Sequence, residues 1–128
     1  QARGYKDQIK FDVRKINLAS VSERLKRAQE EIRRLPTSSQ SAPRGVRPHE
    51  LIKNTREHFD VALGTLDASG PDANTRSLLA AAQKNLNSYE MSWNSGSVNP
   101  QCAHELQAQV QDAISILGST IFQLEGKA

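Results

Sequence analysis

From Tyr5 to Leu35 the chain runs for 31 residues without a glycine or a proline. Within that run Leu18, Val21, Leu25, Ala28, Ile32 and Leu35 recur at alternating steps of three and four. That spacing draws one apolar line along a helix, a coiled-coil-like seam. A helix of this length buries its seam only if other elements cover it, so the remainder of the chain has to supply them. The N-terminal third of the run is less regular: Tyr5, Ile9, Val13 and Ile16 share one stripe and Phe11 lies on another. Glu23 with Arg27, Lys26 with Glu30 and Glu30 with Arg34 fall at i,i+4 on the polar side, where such pairs support a helix slightly.

Three further seams follow. Pro36 stops the first helix, and "PTSSQSAPRGVRP" reads as a flexible loop over 36–47, long for a hairpin connection. Pro48 suits a first helical residue, and Ile52, Thr55, Phe59, Ala62 and Leu66 trace a second helix towards Gly70, a C′ candidate. Asp72 favours the first turn of a third helix, whose face is Leu78, Ala82, Leu86, Tyr89 and Trp93. Asn99-Pro100 caps and opens a fourth, with Ala103, Leu106, Val110, Ala113, Leu117, Ile121 and Leu124 on its seam. The expected helices span about 4–35, 48–68, 72–93 and 100–125. Strand signals, meaning period-two runs of β-branched and aromatic residues, are missing.

At 128 residues the chain suits one domain with one modest core. The spacing therefore predicts an all-α fold: an antiparallel up-down-up-down four-helix bundle whose long first helix overhangs at its N-terminus. In that order the termini and the Gly70-Pro71 turn share one end. Loop 36–47 and turn 94–99 share the other.

The far end collects uncommon side chains. His49, Glu90, Trp93, Cys102 and His104 are the candidate ligand or partner residues there. Their spacing argues against chemistry: Cys102 and His104 are two apart, about 200° around a helix, and no His pair sits at i,i+4. No metal site and no cofactor is expected. One cysteine makes no internal disulfide. Neither His49 in "HELIKN" nor His58 in "HFDVAL" carries the H-x-x-K-G pattern of histidine phosphotransfer bundles. There is no C-x-x-C-H haem site, no E-x-x-H di-iron pair and no G-x-S-x-G. The chain reads as a non-enzyme.

The net charge of +3 is unevenly spread. Residues 1–36 carry ten Lys/Arg against five Asp/Glu, and residues 67–128 carry three against six. Arg3, Lys6, Lys10 and Arg14, at steps of three, four and four, form a basic stripe on the overhang. Such a stripe suits a solvated face, anionic headgroups or a polyanion. Without an aromatic platform, and with acidic residues interspersed, nucleic acid is a poor match.

Both termini at one end, an overhanging first helix and a loop-rich far end resemble, in architecture alone, extracytoplasmic sensor modules held between two membrane spans. That resemblance implies ligand or partner recognition at the 36–47/94–99 end, relay through helices one and four, and a periplasmic or extracellular setting. It also requires apolar spans before Gln1 and after Ala128. The chain contains no apolar run long enough to span a membrane and no signal peptide. It opens on Gln1 rather than Met, which suggests a processed or excised fragment. The rival reading is a helical adaptor, cytoplasmic or exported, that pairs with a partner helix or with a second copy through the exposed N-terminal part of helix one.

Overall fold

The computed structural model describes residues 2–36, 47–67 and 70–127. Within these, side chains are described from Ile9 to Glu125, apart from Phe11 and Pro71. The expected loop 36–47 falls almost wholly outside the described residues, as do the side chains of Arg3 and Lys6. Among the described residues there are four α-helices and no strand: α1 Ala2–Arg33, α2 Pro48–Thr65, α3 Ala73–Asn94 and α4 Pro100–Lys127. A short 3-10 turn, Gly70–Asp72, leads into α3. Among the described residues, each helix packs closely on two others in the cycle α1–α2–α3–α4–α1.

The core follows the seams. Leu18, Val21, Leu25, Ala28 and Ile32 of α1 are buried with Ile52, Phe59 and Ala62 of α2, Ala82, Leu86 and Tyr89 of α3, and Leu106, Val110, Ala113 and Leu117 of α4. Burial of these apolar surfaces is the main favourable term. Alanines at Ala28, Ala62, Ala82 and Ala113, all fully buried, let the backbones approach closely where aromatics are few. On α3 the face is turned by one residue at its start. Leu79 is fully buried and Leu78 only partly, which corrects the expected seam residue. Two adjacent leucines leave that choice to the packing.

Polar cross-links tie neighbouring helices at successive levels. Between α2 and α3, Arg56 pairs with Glu90 at 2.8 Å, Gln83 Nε2 donates to Asp60 at 2.8 Å, and Arg76 donates to the Leu63 carbonyl at 2.6 Å. Arg76 also reaches the Leu66 carbonyl at 3.0 Å, so one guanidinium satisfies two carbonyls left open at the C-terminus of α2. Asn85 donates to Gln109 of α4 at 2.7 Å, and Gln29 of α1 donates to the Gln107 carbonyl at 3.3 Å. On the surface of α1, Lys26 pairs with Glu23 and Arg33 with Glu30, both i,i+3, where i,i+4 partners were expected.

α2 stops sooner than its sequence pattern implies. Its last helical residue is Thr65, and the Leu66 N–H still donates to Ala62 before the chain turns extended at ψ 140. Gly70 is therefore not the C′ residue of α2. Its φ of 78 instead opens the 3-10 turn. A helix of 18 residues beside one of 32 leaves part of α1 without an α2 neighbour.

Candidate functional site

The far end is built first by its turn. Gly96 takes a φ of 78, the Gly96 N–H donates to the Trp93 carbonyl, and the Asn99 side chain accepts from the Gln101 N–H at 3.0 Å, so Asn99 caps α4. Tyr89 is fully buried and its hydroxyl donates to the Pro36 carbonyl at 2.5 Å, which fixes the end of α1 against α3. Burial pushes the Tyr89 phenol up to about 12.

Around this turn the five expected residues do not converge. Glu90 is committed to Arg56. Trp93 and Cys102 are partly buried against the core, and His49 and His104 face solvent on different helices. Among the described residues, no group of His, Cys, Asp and Glu is placed to hold a metal ion. An open recess of about 630 Å3 does lie here, lined by Met91, Ser92, Ser95, Ser97, Val98 and Asn99 with Pro100, and none of the five borders it.

The other feature lies on α1. Ile9, Val13 and Ile16 stand at i, i+4 and i+7, one face of the helix, and are 47%, 51% and 66% exposed. Among the described side chains, the buried seam begins at Leu18. Beside this stripe, α1 and the α2–α3 connection form a smaller recess of about 330 Å3, with Ile9, Val13 and Leu18 as its apolar wall and Lys10, Asn17 and Thr65 among its polar borders. α2 has ended by this level, which is why the recess is open.

Arg14 closes its inner edge. Its Nη2 donates to Asp72 Oδ1 at 2.7 Å, and Asp72 is 6% exposed. The Asp67 N–H donates to the same carboxylate at 3.2 Å. Arg14 therefore leaves the expected solvent-facing basic stripe and becomes a structural cation. Lys10 remains exposed on the rim, and Lys15 is half-buried. A carboxylate that looked like a favourable first-turn charge for α3 turns out to anchor a residue 58 positions away. No local signal carries such a pair, and only the arrangement of the helices reveals it.

Higher on α1, Arg24 donates to His58 Nδ1 at 3.3 Å. A guanidinium has only donors, so Nδ1 accepts and the imidazole proton sits on Nε2. Burial, then the positive charge of Arg24, lowers the His58 pKa from its usual 6.5. Both causes favour the neutral imidazole.

In comparisons with known proteins, no family model matches the sequence, and neither a curated protein nor a solved structure matches it significantly.

Proposed function

We propose that this chain is a non-enzymatic helical interaction module that pairs with a partner helix through the N-terminal half of α1. The observation that carries this reading is the exposed Ile9–Val13–Ile16 stripe beside an open recess. Three aliphatic side chains at i, i+4, i+7 are the anchors with which helices dock into one another. Exposed apolar residues scattered singly need no explanation, whereas a row of them on one face does.

The helices run up-down-up-down in this account. Its support is the progression of cross-links: Arg56 with Glu90, Asp60 with Gln83 and Leu63 with Arg76 rise along α2 as they fall along α3. α1 overhangs the α2–α3 pair, because Arg14 already lies level with the connection at Asp72 and the helix extends to Ala2 beyond it. α4 follows α1 further. Counting down α1 and up α4 from the Gln29–Gln107 pair brings Lys127 level with Ile9. The uncovered side of α1 is the side on which α2 has ended.

The test is a panel of labelled amphipathic helical peptides titrated against the chain and against a Val13→Glu/Ile16→Glu variant. Micromolar binding to at least one peptide, lost in the variant while its melting temperature is unchanged, is the expected outcome. A chain that stays monomeric and binds no peptide in the panel contradicts the reading.

A second reading keeps the sensor class, and what favours it is the open recess at Met91–Pro100. In it, recognition occurs at that end and α1 and α4 relay the signal towards a membrane. Apolar spans of about 20 residues encoded on both sides of the chain support it, and their absence contradicts it.

A further inference from the structure

Resting on the helix-pairing reading, we infer that the partner of the Ile9–Val13–Ile16 stripe is an amphipathic helix with acidic flanks, and not a second copy of this chain. Charge decides the occupant. Residues 1–17 carry Arg3, Lys6, Lys10, Arg14 and Lys15 against Asp7 and Asp12, a local excess of +3. Arg14 is spent on Asp72, which leaves a positive excess on the segment. At 100° per residue, Lys10 stands on the edge of the stripe next to the recess and Lys15 beyond its opposite edge. The anions nearby are Asp7 and Asp12 on α1, the latter already engaged, Asp72, which is paired with Arg14, Asp67 across the recess, and Glu125 of α4, level with residue 11 by the count from the Gln29–Gln107 pair. An incoming helix therefore meets positive charge along α1 itself.

A second copy fits badly. Two α1 segments paired antiparallel about a two-fold axis bring each edge against its own equivalent, so the edge that carries Lys10 lies along the same edge of the other copy. Paired parallel, they still set two segments of like sign side by side, each +2 once Arg14 is paired with Asp72. Like charges across a helix seam are used in natural proteins to reject that pairing. An acidic flank reverses the sign of the same contact, speeds encounter and makes it sensitive to salt. A flat anionic surface shares the charge but not the shape. Three aliphatic side chains beside a recess suit a ridge entering a groove, whereas helices that lie on bilayers bury a broad apolar face.

The experiment uses three synthetic helices of about 21 residues, three heptads, with identical leucine seams and flanks of Glu, Gln or Lys. Each is titrated against the chain and against a Lys10→Glu/Lys15→Glu variant by fluorescence anisotropy, at about 50 mM and about 300 mM NaCl. Sedimentation of the chain alone and phosphatidylglycerol vesicles complete the set. The expected result is a Glu-flanked peptide bound about ten-fold tighter than the Gln-flanked one at low salt, with the advantage shrinking at high salt. In the double variant the order inverts, and the Lys-flanked peptide binds best. Equal binding of all three peptides overturns the acidic partner and leaves helix pairing intact. So does a dimer of the chain alone that Val13→Glu dissociates. Failure of every peptide with a monomeric chain, or binding to vesicles alone, overturns the pairing reading as well.

Discussion

Tyr89 and His58 are side chains whose ionisation the fold shifts, and each sets a measurable quantity. The Tyr89 hydroxyl, buried and bonded to the Pro36 carbonyl, is the sole polar group of its ring. Tyr89→Phe leaves that carbonyl without its donor and is expected to cost about 1–2 kcal/mol in urea unfolding. A change below about 0.3 kcal/mol would show that water replaces the hydroxyl. The same burial raises the phenol to about 12, so the unfolded chain ionises first and stability declines once pH climbs above 10. His58 works in the opposite direction on the pH scale. Its folded pKa lies below 6.5, so the unfolded state binds the extra proton. Stability is complete above 6.5 and declines as pH falls through that value towards the folded pKa. Melting curves between pH 7.5 and 5.5 should therefore show a smaller drop for His58→Gln than for the parent chain. Equal drops would mean that another group titrates.

At the scale of elements, the connection between α2 and α3 is held by charge as well as by the buried Leu66. Asp72 takes both Arg14 and the Asp67 N–H, and Arg76 closes the end of α2. Asp72→Ala removes both partners of one carboxylate, and the freed Arg14, 28% exposed, can reach water. A loss of about 2 kcal/mol is expected, as for hydrogen bonds to a charged group, and a loss under about 0.5 kcal/mol would contradict the anchoring role. These elements also mark where the sequence is legible. The three-four spacing from Leu18 to Leu35 reads directly as one helix face because helical geometry leaves it no alternative. The end of α2 does not read so well. Phe59, Ala62 and Leu66 continue the pattern towards Gly70, yet the helix stops at Thr65, one residue after Gly64. Leu79 in place of Leu78, and Arg14 bound to Asp72, depend on contacts between distant segments that no local pattern encodes. At the candidate site, the apolar stripe of α1 is visible in the sequence. Its recess is not, because it exists only where a shorter neighbour ends.

For the whole molecule, the unequal lengths of α1 and α2 leave one end of the helical assembly open on one side. Two places then compete as the proposed recognition surface: the stripe with its recess at Ile9–Leu18, and the open hollow at Met91–Pro100. The first carries a row of exposed aliphatic side chains and a charge excess. The second offers serines and an asparagine already bonded to the backbone of their own turn, Ser92 to the Tyr89 carbonyl and Asn99 to the Gln101 N–H. Nuclear magnetic resonance of the isotope-labelled chain, titrated with the Glu-flanked peptide, separates the two most directly. The account predicts that the amide shifts concentrate in Ile9–Leu18 and Thr65–Asp72 while Met91–Pro100 stays unperturbed. Shifts centred on Met91–Pro100, with α1 unchanged, would contradict it.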